Sequence, residues 1–311
     1  TVPYWYCCGL TLLFNPPIVT NAADAIFYVS KNGSDTNSGT ANSPWKTIQK
    51  CANTLSAGDT CIVEAGSYSE RVQVTRSGSE GAPIAFRASG VVVMKGFTVR
   101  ANYISIYGFE ITNTLDEWDN GWGVFFQGKG GVIEDNYIHY ATRGGIAVFA
   151  SPATAVNTNH VIVRNNRLYR NALVGIEVHG RDNLIEGNEI WGTIQNHPQS
   201  SSTISLDADG MSIFGSGHTI RKNYIHDIQY GIPENPSPHI DCFQTWSDSA
   251  KEVATYVVFE QNECVNLQAK SSLEVGQGFM MNGAKYITIR NNLIRAFRGI
   301  NLINGSNYFT I

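Results

Sequence analysis

The segment DADGMSIFG (207–215) sets Asp207 and Asp209 ahead of a glycine and an alternating apolar run, and HIDCFQTW (239–246) restates the arrangement with Asp241. Carboxylates brought together by folding have three uses. They can ligate a hard cation such as Ca²⁺, with Asp207, Asp209, Asp241 and Gln244 supplying oxygens. They can divide into one protonated and one ionised acid, Asp209 and Asp241, and cleave a glycosidic bond with inversion. Or they can hydrogen-bond turn backbone and do no chemistry. In the first case a bound cation neutralises a substrate carboxylate and acidifies the neighbouring C–H. A base removes that proton and the glycosidic leaving group is eliminated. Arg298 is the candidate base or carboxylate clamp, with His239 and His179 as alternative bases.

Acids so far apart need a repeat to bring them together. An alternating strand followed by Asn-x-apolar recurs in GVIEDNYIHY, HVIVRNNRLYR, NLIEGNEIWG, HTIRKNYIHD, YVVFEQNECVN and YITIRNNLIRA. A second phrase, glycine then alternating apolar residues, begins at Gly123, Gly145, Gly175, Gly210, Gly278 and Gly299, and Cys242 takes the glycine place in DCFQTW. The shortest intervals are 21 and 22 residues, with period-2 alternation and no helical period. Such a unit buries its apolar face only by stacking on its neighbours, with a rise of ~4.8 Å per coil. This predicts an all-β fold, a right-handed parallel β-helix, with asparagines bonded along a ladder. The segment SPWKTIQKCANTL (43–55) reads as a short N-terminal capping helix.

Aligning the second phrase stacks Asp209, Asp241, Gln277 and Arg298 in one column. Glu177 and Gln244 fall in the next, and His179, Phe214, Trp246 and Asn282 in a third. Ile176, Val178, Met211 and Ile213 are predicted to face the core, so the columns face outward. Asp209 and Asp241 are then neighbours, whose repulsion raises one pKa unless a cation intervenes. His179, Phe214 and Trp246 form an aromatic stripe on which sugar rings stack, and His239 and Gln277 join the candidate substrate contacts. Insertions at 191–208, 229–239 and 267–276 enter beside this face, and LDEWDNGWG (115–123) supplies a further wall.

A formal charge of −4 and the lack of any Lys/Arg run argue against nucleic acid as a partner, and an anionic substrate needs a local cation or a local arginine to hold it. No apolar run reaches membrane-spanning length. Residues 1–25 read as the remnant of a secretory leader, with GLTLLF as its apolar stretch and Ala23-Asp24-Ala25 as a small-x-small cleavage site. Residues 26–311 are the solenoid, expected to be secreted, monomeric and C-terminally incomplete, since NGSNYFTI restates NGAKYITI and stops mid-coil. Cys51 and Cys61 flank a short loop that a disulfide can close, whereas Cys242 and Cys264 are expected as small buried residues.

The run FYVSKNGSDTNSGTANSPWKTIQKCANTLSAGDTCIVEAGSYSERV (27–72) resembles the opening of secreted right-handed β-helix proteins, including family 9 pectate lyases and chondroitinase-B-like lyases. The resemblance implies a carbohydrate-active enzyme. Family 9 pectate lyases hold Ca²⁺ with an Ala-Asp-Gly motif and an Asp-Asp-Gly-x-Asp motif one coil later. Ala208-Asp209-Gly210 matches the first. The second matches only at Asp241, with Ile240 and Gln244 in place of acids, and the family's lysine has no counterpart. Polygalacturonases share the acids, but their Gly-His-Gly reads Gly276-Gln277-Gly278 here. The expectation is a polysaccharide lyase acting on acidic polysaccharide. An inverting hydrolase and a non-catalytic carbohydrate-binding solenoid are the alternatives.

Overall fold

The computed structural model describes residues 24–115, 117–150, 158–194, 207–229, 239–247, 252–268 and 275–311. The leader reading of 1–25 and most of the three insertions fall outside the described residues. Those residues form a parallel β-helix of two sheets, one of 18 strands and one of 9. The larger sheet is two faces of the solenoid joined through the long strand Ile84–Met94, which pairs with both Ile104–Tyr107 and Glu110–Ile111. The 9-stranded sheet is the third face and includes Val174–Val178, Asp209–Ile213, Asp241–Thr245, Gln277–Asn282 and Arg298–Ile303. Among the described residues no helix is long and apolar enough to cross a membrane.

The asparagines fix the corner between the first two faces. Each of Asn136, Asn166, Asn188, Asn223 and Asn262 donates its side-chain amide to the Oδ1 of the asparagine one coil on, at 2.9–3.0 Å, ending at Asn292. The same Oδ1 accepts the backbone N–H of the asparagine before it. The residue ahead of each, including Lys222 and Gln261, holds a positive φ, and the ladder repays that strain. Asn223→Ala strands the buried Asn188 N–H and the carbonyl of Ile185. We expect it to cost ~2–4 kcal/mol and to lower the melting temperature by several degrees in a circular-dichroism melt. An unchanged melt would contradict a structural role for the ladder.

A capping helix, Ile48–Thr54, lays Ile48, Cys51 and Ala52 on the core. Thr47 caps it by accepting from Lys50 N at 3.2 Å, and Glu70 accepts from Ile48 N and Gln49 N. Cys51 and Cys61 form a disulfide.

Cys242 and Cys264 are also disulfide-bonded, which overturns their reading as isolated buried thiols. The reason lies across the core. The glycine column packs against a column of branched residues on the opposite face: Gly123 on Ile138, Gly145 on Leu168, Gly175 on Ile190, Gly210 on Ile225 and Gly278 on Ile294. A Cβ on Gly210 would stand 2.5 Å from Ile225 Cγ2. At one coil both members change together, since Cys264 occupies the isoleucine place between Ile225 and Ile294. The close approach that excludes a side chain opposite isoleucine suits a disulfide, with the Cα atoms 6.1 Å apart.

Candidate functional site

The glycine column also aims the acids. Strand pairing runs from Val174↔Asp209 to Ile176↔Met211 and skips the glycines between them. Strict alternation would send Asp209 to the core with Met211. The corner at Gly210 turns both Gly210 and Met211 inward instead, which leaves Asp209 on the outer face with Ser212. Ser212 Oγ donates to Asp209 Oδ2 at 3.2 Å.

The columns align as the repeat predicts. Met211↔Phe243 and Ser212↔Gln244 place Asp241 one coil beyond Asp209, and Asp241 N donates to Asp209 Oδ1 at 3.2 Å. Asp207 joins them: its Oδ1 accepts from His239 N, and its Oδ2 from Gln244 Nε2, both at 3.3 Å. Asp209 and Asp241 are 1% and 0% exposed. Neither oxygen of Asp241 receives a hydrogen bond among the described residues, nor does Gln244 Oε1. The amides of Gln244 and Gln277 stand near Asp241 and favour its ionisation, but neither closes a bond to it.

Burial first, then the charge of Asp207, pushes the Asp241 carboxyl up to about 8. Burial, then Asp207 and Asp241, raises Asp209 well above the usual range. An acid with a raised folded pKa contributes stability that is complete below its unfolded value, 3.8, and is lost as pH climbs through the folded value, about 8. Chelated protein is therefore expected to melt at progressively lower temperature between those pH values. A flat profile would place the acids in a better-solvated setting than described here.

A cavity of ≈200 Å³ opens over Asp207 and Asp209, and Asp241 is not among its lining residues. Glu177, Asp207, Asp209 and Ser212 line it together with Trp118, Trp122, Trp246 and Arg143. The wall anticipated from 115–123 thus enters through its two tryptophans. Glu177 Oε1 is 2.7 Å from His179 Nε2, and both are buried.

The aromatic stripe faces outward but does not form an open platform. Phe214 is 0% exposed, packed between the rings of His179 and Trp246 and bridged by Val253, so a sugar cannot reach it. His179 is held between Phe149 and Phe214. Of the three, Trp246 alone lines the cavity. Arg298 follows Gln277 in the acid column, as expected, but it is exposed and away from the cavity lining. Gln277 Oε1 accepts from Asn301, and Asn282 Oδ1 from Asn304; neither residue reaches the cavity wall. His239 is mostly exposed, its Nδ1 3.9 Å from Asp207 Oδ1.

Sequence reasoning missed Arg143 and did not single out Trp122 within its segment. The acid column, followed toward the N-terminus, passes from Val174 to Gly144 and then to Trp122. Extending the alignment by two coils would have found it.

Fold and site together define a right-handed parallel β-helix whose third face stacks acids beside a tryptophan-walled cavity. The model of the family described as "Pel9A-like, right handed beta helix region" matches residues 27–180. The match ends before Asp207. Over 69 residues the chain is 39% identical to pectate lyase PEL9 of Emericella nidulans, covering 22% of this chain and 16% of the relative. Over 60 residues it is 43% identical to the uncharacterized protein YwoF of Bacillus subtilis, covering 19% of this chain and 13% of that one. The matched stretches thus span well under two thirds of these relatives. Among solved structures, pectate lyase Pel9A superposes with a TM-score of 0.54 at 16% identity, over 88% of this chain and 79% of that one. An alginate lyase from Paenibacillus sp. str. FPU-7 superposes with a TM-score of 0.58 at 13% identity, over 91% and 99%. At these identities the structural likeness is one of fold.

Proposed function

We propose that the protein is an exported polysaccharide lyase that cleaves a uronate-bearing polysaccharide by β-elimination at the cavity lined by Asp207 and Asp209, with the buried Asp241 as a further ligand for the cation. The observation that carries this reading is Asp241, a buried carboxylate beside two others that accepts no hydrogen bond among the described residues. Such a group calls for a cation or a proton. The pectate and alginate lyases among the similar proteins support the substrate class, and two disulfides support export.

The donor set has the chemistry for Ca²⁺: carboxylate oxygens from Asp207, Asp209 and Asp241 and the amide oxygen of Gln244. Among the described residues no three His, Cys, Asp or Glu side chains already converge as a metal centre. Asp207 and Gln244 bond each other, so gathering the set requires those two side chains to turn. Bound there, the cation would neutralise the acids and polarise a substrate carboxylate. The chain's own residues do the rest. Trp246 and Trp118 offer ring faces to the sugar. Glu177 lines the cavity and, oriented by His179, takes the proton next to the substrate carboxyl. The carbanion's electron pair forms the new double bond as the glycosidic C–O bond breaks, and the departing oxygen takes a proton from solvent to leave as a hydroxyl.

A hydrolase using Asp209 and Asp241 is disfavoured because Asp241 does not line the cavity in which a glycosidic bond would lie. Incubation with polygalacturonate and with alginate tests the proposal. Unsaturated ends absorbing in the ultraviolet are expected. Products heavier by one water, without that absorbance, would replace the lyase by a hydrolase.

A further inference from the structure

On the third face, the outward positions ahead of the acids are already covered. Thr98, Phe125 and Ala147 alternate with core residues such as Val99, Val124 and Ile146, so they point away from the core. Their register runs on to Glu177 and Ser212. Yet these three are only 1%, 2% and 0% exposed, because an outer apolar layer lies on them. Trp122, Phe125, Ala147 and Val174 pack as a cluster separate from the main core, with Phe149 against it. Trp118 meets the Phe149 ring edge-on at 6.5 Å.

The acid column is filled in the same way. It runs Trp122, Gly144, Val174, Asp209. The Trp122 ring lies over Gly144, since a Cβ there would stand 2.2 Å from Trp122 Cζ3. The indole therefore takes the outer place of the coil that separates it from Val174. The layer is also fastened. The buried guanidinium of Arg71, two coils before Trp122, donates to Asp119 O at 2.9 Å, Asn120 Oδ1 at 3.0 Å and Trp122 O at 2.6 Å. It donates as well to Thr98 Oγ1 at 2.8 Å, and Arg100 pairs with Asp119. A planar fork that spends its N–H groups on so many acceptors sets the segment down on the earlier coils.

The lining of the cavity extends from Trp122 to Trp246, four coils on, so the cavity runs along the solenoid axis. We infer that its N-terminal end is a dead end at Trp118 and Trp122, which admits one terminus of the polysaccharide, so that the enzyme releases short fragments from a chain end and does not cut within the chain. This deepens the proposed function and rests on it. A polymer held in mid-chain across the acids would have to continue over Thr98, Phe125 and Ala147, and the space above them is occupied by this chain's own rings.

Digests of polygalacturonate and of alginate, followed by ultraviolet absorbance beside viscosity and product length, test the stop. Wild-type protein is expected to release short unsaturated fragments from the first time point while viscosity barely falls. Trp122→Ala, which clears the place over Gly144, should shift the early products to longer fragments. Arg71→Met, which unfastens the segment from outside the cavity, should shift them the same way. Circular dichroism establishes that each variant is folded. Long unsaturated fragments and an early collapse of viscosity with the wild type overturn the dead end and leave the proposed function standing. Short products that stay unchanged in both folded variants overturn the assignment of the stop to this segment. Absence of unsaturated products from both polymers overturns the proposed function and this inference together.

Discussion

Asp241→Asn is expected to lower the turnover of a uronan at least about a hundredfold while raising the melting temperature of the chelated protein at neutral pH. The activity loss follows from removing one of the three carboxylates on which the site depends, and disturbing even groups that only support metal ligands costs about 10–100-fold. The gain in stability follows from the electrostatics. Asp241 is buried beside Asp207 and Asp209 with no hydrogen bond among the described residues, so its charge opposes folding until a cation or proton answers it. Asparagine keeps the shape and removes that charge. A purely structural acid would behave the other way, losing stability with little effect on turnover. Steady-state rates together with calcium-free melts separate the two. Asp209→Asn should lose activity in the same way and also gain stability, because burial beside Asp207 and Asp241 raises its carboxyl well above the usual range even with Ser212 Oγ and Asp241 N donating to it.

The second large effect belongs to the disulfide at the next residue. Cys264→Ala removes a cross-link between residues 22 apart in sequence and is expected to cost ~3 kcal/mol. Cys264→Ile alone should be no better, since the branched side chain meets the Cys242 side chain where other coils have glycine. Cys242→Gly with Cys264→Ile restores the pairing used at the neighbouring coils and should recover stability to within ~1 kcal/mol of the parent. Denaturant unfolding of the two single variants and the double variant gives the coupling directly. A double variant no more stable than its worse parent would mean that the glycine and isoleucine columns do not explain this cross-link.

That disulfide also shows what the sequence could and could not reveal. The glycine column was legible because glycine recurs ahead of alternating apolar residues, and the asparagine ladder because Asn-x-apolar recurs. From those two columns came the fold and the adjacency of Asp209 and Asp241, and the capping helix came from the separate segment 43–55. Cys242 was visible as a departure from glycine, yet its partner was not, because the matching exchange lies on the opposite face and has meaning only once the two columns are known to touch. Phe214 read as a sugar platform because its direction follows from period 2. Its burial depends on Val253 and Trp246, which the chain brings back after a further coil. Arg143 escaped because it stands at the turn before the strand Gly144–Val148, where the repeat imposes no residue type.

The central claim is that acids from adjacent coils form one cation-binding centre. Calorimetric titration of the chelated wild-type protein with Ca²⁺, beside Asp241→Asn, tests it most directly. The account predicts a saturable site in the wild type and at least about a tenfold loss of affinity in the variant. Equal binding by the two proteins, or no binding by either, would contradict it.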